Sequence, residues 1–307
     1  MLATLLLLTA LQNGPVKADT LRPPVAVSPQ AREPEAFMVQ QVTYVSEFIN
    51  RFNHQITANG RAIPDSLQNT DARKGAIGQL FDRFSSAALN KTSFLRTHKN
   101  EFIEQVCDAA KPVRLTFLSN DLYATVRVQT AWQGREQPVD FYLKSATDRQ
   151  GHAWKILDAQ APFLNESVGV GANVGPAKRN AKTAPDTART RGFIPLNAQE
   201  TAFLNLYNQM RDRHDLLQLA VQPNNASSSL VRLAQLVVQG QVTPVHTDYP
   251  TLYLPVANGW VVQVNFTNRR HEQSGWLITD LYQLTGTDSR RLPAPFLSYF
   301  RPQTPKK

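Results

Sequence analysis

Two short strand-like segments carry the residue types best suited to chemistry. Trp154-Lys155-Ile156-Leu157-Asp158 and Trp276-Leu277-Ile278-Thr279-Asp280 both read W-x-I-x-D. Side chains two apart share one face of a strand, so each tryptophan, isoleucine and aspartate point the same way. A carboxylate on the apolar face of a sheet has its charged form disfavoured, which suits it to act as acid or base. The structural alternative is an aspartate at a strand end, wet or bonded to backbone amides. Its terminal position and its presence in both copies favour that alternative. A second constellation is Asn50/Asn53 and Asn205/Asn208, each pair three apart beside an apolar helical stripe. Asparagine is a poor helix-interior residue, so its amide needs a partner, either a backbone group or a ligand. The candidate ligand-contacting residues are therefore Asn53, Asn208, Asp158, Asp280, Trp154 and Trp276.

Other reactive types form no pattern. His54, His98, His152, His214, His246 and His271 lack metal-ligand spacing, and no H-E-x-x-H motif occurs. Cys107 stands alone without a His–Asn partner pattern and reads as a small packed residue. Gly169, Gly171 and Gly175 lack the phosphate-cradling spacing and no strand–helix unit surrounds them. No catalytic residue, cofactor or metal is expected.

The elements that position these residues follow from periodicity. Met38, Val42, Val45, Ile49, Phe52 and Ile56 recur at steps of four and three, which predicts a long helix stopped by Asn59-Gly60. Phe203, Tyr207, Met210 and Leu217 hold a similar stripe. Shorter stripes follow at Ile77–Phe84, Phe94–Val106 and Leu230–Val237. Period-two alternation predicts strands over 113–117, 122–128, 139–146 and 152–159, then over 260–266 and 275–284. The motif F-[IL]-N-x-[FY]-N, at Phe48–Asn53 and Phe203–Asn208, precedes W-x-I-x-D both times. Two motifs repeated in one order indicate a diverged tandem duplication.

The chain has 307 residues, one cysteine and a net charge of +9. That length suggests two domains, and one cysteine excludes a disulfide scaffold. Residues 1–18 have the layout of a secretory signal peptide without a basic n-region: an apolar run, a Gly-Pro break and small residues before Asp19. Residues 19–36 read as an extended leader, 37–165 as a first α+β domain and 166–195 as a flexible basic linker. Residues 196–286 read as a second α+β domain and 287–307 as a basic, Pro-rich tail. Most of the net charge falls on Lys17, the linker and the tail, so the folded parts are near neutral. No specific nucleic-acid binding is expected from charge without interleaved aromatics. No apolar stretch is long enough for a membrane span.

A helix-first, antiparallel-sheet-last order with W-x-I-x-D in the last hairpin resembles the nuclear-transport-factor-2-like (ketosteroid-isomerase-like, cystatin-type cone) superfamily. The resemblance covers residues 37–164 and 197–285. It implies an α+β fold of two tandem cones, each a long helix plus short helices on a strongly curved antiparallel sheet. Such families include isomerases, dehydratases, carrier subunits and exported proteins, so function is left open. The leading expectation is a periplasmic or secreted, non-catalytic protein. It would enclose a small ligand, a peptide or an envelope-protein partner between helix and sheet. The alternatives are an isomerase- or hydratase-like enzyme using Asp158 or Asp280 as base, and a scaffold that dimerises through its sheet faces. A deep apolar cavity holding an aspartate beside a second polar group favours chemistry; a filled cone favours the scaffold, and an open, mostly apolar cone without paired titratable groups favours binding.

Overall fold

A computed structural model describes residues 41–119, 121–148, 151–164, 193–269, 273–285 and 288–300. The expected signal peptide, leader, most of the linker and the last residues of the tail lie outside them. The fold is α+β. Eight strands form a single sheet: β1 (Tyr123–Trp132), β2 (Arg135–Asp148), β3 (Gly151–Gln160), β4 (Ile194–Pro195), β5 (Val242–Thr247), β6 (Thr251–Val256), β7 (Trp260–Thr267) and β8 (Gly275–Gln283). Their order is β4-β3-β2-β1-β6-β7-β8, with β5 also pairing β1, and all pairs are antiparallel.

The register is symmetric about one strand pair. Leu143 pairs with Ile156 and Ala124; Val264 pairs with Ile278 and Leu252. Ala124 then pairs with Leu252, so an internal two-fold relation passes through that pair. Each W-x-I-x-D strand carries one bulge at the same place, between Ile156 and Asp158 and between Ile278 and Asp280. A bulge at one position in both W-x-I-x-D strands re-aims the aspartate that follows it.

The helices pack across this two-fold. They are α1 (Val45–Phe52), α2 (Thr70–Gln79), α3 (Ser86–Leu89), α4 (Phe94–Val106), α5 (Leu204–Arg211), α6 (Ser228–Val238) and α7 (Ala294–Phe300). The expected arrangement, a helix over its own sheet, forms only in part: α5 and α6 pack on β5 of their own half, but the W-x-I-x-D strands are covered from the other half. First-half segments cover β7 and β8: Phe102 meets Trp260 edge-on, Phe94 lies tilted against it, and Phe81 bridges Ile278. Second-half segments cover β3: Phe203 meets Trp154 edge-on, Ala220 bridges Ile156, and α6 packs on the strand. The halves share one continuous apolar core on this side of the sheet.

Two cross-half contacts are electrostatic. The buried Asp82 carboxylate takes both Arg269 guanidinium nitrogens at 2.9 Å. Glu200 accepts the Val45 N–H at 2.8 Å, at the N-terminus of α1, where a negative charge complements the helix dipole. Burial raises the Glu200 pKa; this N–H and the nearby Trp276 indole and Gln199 amide counter it in part.

Several expectations are corrected. The long first helix is only Val45–Phe52 within the described residues, because Val42 docks on β8 instead of continuing the stripe. The second stripe breaks at Ala202 and Phe203, both left-handed, so its helix starts at Leu204. Residues 113–117 join no strand; Leu115 pairs with a side chain, described below. Strands β5 and β6 were not expected. The linker ends early, since Ile194–Pro195 pairs with β3. The tail is folded through Phe300: Leu292, Phe296 and Phe300, spaced by four, pack with Tyr123, Tyr253 and Tyr282 on the second face of the sheet.

Candidate functional site

The six candidate residues do not converge. Trp154 and Asp158 lie on β3, and Trp276 and Asp280 on β8, with four strands between them. Both tryptophans are fully buried core residues. The Trp154 indole N–H donates to the Leu196 carbonyl at 3.0 Å and to the Gln199 amide oxygen at 3.2 Å. Trp276 packs against Phe266 and Tyr249. These side chains fill the space between helices and sheet where an enclosed ligand was expected.

The asparagines also part company. Asn53 is the C-cap of α1, and its buried amide donates to the Leu115 carbonyl at 2.8 Å while accepting the Leu115 N–H at 2.9 Å. It acts as a strand partner for a segment that has none. Asn208 is half-buried inside α5, short of its end. The shared motif therefore sits at different points of the two helices.

The aspartates start from the same local geometry and then diverge. Each Oδ1 accepts the N–H of the next residue at 2.8 Å, Ala159 in one copy and Leu281 in the other, as the bulge requires. Asp158 is then locked by two hydroxyls of the α6 N-terminus, Ser227 and Ser229, the latter at 2.9 Å. In the other copy the helix-capping Ser85 bonds only within its own segment, to Ala88 N–H and the Asp82 carbonyl. Asp280 instead pairs through Oδ2 with Arg291 and lines a cleft of about 590 Å³.

That cleft brings Asp280, Asp288 and Arg291 together with Ser86, Asn90 and His98 from the first half. Arg291 lies 3.7 Å from Asp288 and stacks over the Tyr282 ring at 5.0 Å. His98 stacks on Phe94 with centroids 4.0 Å apart, and its Nδ1 is engaged by the Phe94 carbonyl and the Thr97 hydroxyl. Burial raises the Asp280 pKa, against the Leu281 N–H and Arg291, which favour the charged form. The cleft thus offers hydroxyl, amide and imidazole groups around an ion pair, beside a stacked aromatic surface. Sequence reasoning missed Arg291 and Asp288 because both were assigned to the tail; the four-residue spacing of Leu292, Phe296 and Phe300 was the signal that this segment folds back.

On the second face, α7 leaves a groove of about 450 Å³ beside Tyr142 and Tyr253, where Arg127 and Asp140 neutralise each other at 2.7 and 3.0 Å. Among the described residues no cluster of His, Cys, Asp and Glu could hold a metal ion, and no helix is long and apolar enough to cross a membrane. Comparison with known families, curated proteins and solved structures finds no match.

Proposed function

We propose that this chain is an exported, non-catalytic binding protein whose ligand site is the Asp280–Arg291 cleft. One observation carries the reading: of two aspartates with one strand geometry, Asp158 is tied to serines of a packed helix, whereas the buried Asp280 is tied to Arg291, whose half-exposed side chain lines an open cleft. The ligand class suited to the cleft is a small neutral polyol. Hydroxyl groups match the Ser86, Asn90 and His98 side chains and the outer faces of the ion pair, and Phe94–His98 offers a flat apolar surface. Catalysis is less well supported, because both Asp280 oxygens are already engaged, by Leu281 N–H and by Arg291. The nuclear-transport-factor-2-like assignment remains part of this proposal; helix-first order and the antiparallel sheet support it.

The test is calorimetric titration with a panel of mono- and disaccharides, alongside a cationic and an anionic control. A saturable sugar response in the parent chain, lost in Arg291→Ala and kept in Asp158→Asn, is the expected result. Equal loss in both variants, or no response to any sugar, removes the assignment.

A further inference from the structure

A second cavity, remote in chemistry from the Asp280 cleft, lies against the end of α1. It measures about 270 Å³ and is walled by Ile56, Ile63, Ala76 and Leu80, with Arg51 and His54 as its ionisable groups. His54 is 9% exposed, and its Nδ1 is buried without a protein partner. A buried polar atom left unpaired costs about 1–3 kcal/mol, so it asks for an explanation. The backbone sharpens the question. His54 sits at φ 56°, in the left-handed position after the helix end, with Gln55 N–H reaching back to the Asn50 carbonyl at 2.8 Å. That position favours glycine or asparagine, and non-glycine strain of this kind concentrates at ligand sites.

Charge selects the ligand. Arg51, paired with Glu47 and the Gln41 carbonyl, is one of the lining residues, and no carboxylate lines the cavity. Arg73 stands behind it, bonded to the Phe52, Val106 and Val113 carbonyls. Burial, and then the Arg73 charge, lower the His54 pKa. We infer that the His54 cavity binds a small monocarboxylate with an apolar body, its carboxylate set between Arg51 and His54 and its body against Ile56, Ile63, Ala76 and Leu80.

The probe is benzoate, with benzyl alcohol as the uncharged control. The expected result is a saturable shift of the His54 imidazole resonances on adding benzoate, with benzyl alcohol binding at least about tenfold more weakly. His54→Asn keeps a residue suited to the left-handed backbone, and Ala76→Leu narrows the cavity at a half-buried helical site; each should weaken benzoate at least about tenfold. Near-ultraviolet circular dichroism reports whether each variant remains native, and the parent titration stands if one does not. No saturable His54 shift at millimolar benzoate, undiminished binding in native variants, or equal binding of benzyl alcohol overturns the inference.

Discussion

Gly275 is where Val42 of the first half docks on β8 of the second, and Gly275→Ala measures what that contact is worth. The glycine adopts φ 96°, and a Cβ there would stand 2.0 Å from the Val42 carbonyl oxygen, 2.5 Å from its carbon and 2.7 Å from its nitrogen. Ordinary contact needs more than an ångström of extra room, so the Val42 segment must leave β8. Its departure breaks two hydrogen bonds, Trp276 N–H to the Val42 carbonyl at 2.8 Å and Val42 N–H to the Ser274 carbonyl at 3.2 Å. Two bonds at about 1 kcal/mol each, about 1–3 kcal/mol of backbone strain and part of the buried Val42 side chain together come to about 4–6 kcal/mol. Gly134→Ala is the control: φ is 74° there and nothing lies within 4 Å, so only about 1–2 kcal/mol of strain is expected. Urea unfolding followed by tryptophan fluorescence reads both. Equal losses in the two variants would refute the docking of Val42 on β8.

Two further perturbations separate structural roles from one another. Asn53→Ala strands a buried N–H and carbonyl of Leu115 and should cost about 2–4 kcal/mol, whereas Asn208→Ala should stay within about 0.5 kcal/mol; similar costs would contradict the distinction. The raised Glu200 pKa means that the folded chain holds this proton more tightly than the unfolded chain. Its contribution to stability therefore falls as pH rises from the ordinary value of 4.5 through the raised folded value. Glu200→Gln should match the parent in acid and gain on it towards neutral pH; a loss at neutral pH would show that the α1 dipole outweighs burial.

Much of the sheet was legible in the sequence. Period-two alternation located β1, β2, β3, β7 and β8, and the two W-x-I-x-D strands share one bulge position. Strands β5 and β6 were hidden by Pro244, Pro250 and Pro255, which weaken a strand pattern without forbidding short strands. Periodicity extended α1 too far because the spacing that places Val42 on a helical stripe also lets it meet Gly275 as an extended residue. The exchange of helices between halves left no local signal: an apolar stripe says that it must be covered, not by which copy of the strand. Asp280 was legible as a reactive residue, but its difference from Asp158 lies in Ser227, Ser229 and Arg291, far away in sequence.

The central claim is that each half is sealed by the other. A protease site placed between residues 168 and 192, cut after folding, tests it most directly by size-exclusion chromatography and thermal unfolding. One particle of unchanged size that unfolds in a single transition is the expected result. Two separated fragments, each melting cooperatively by itself, would contradict it.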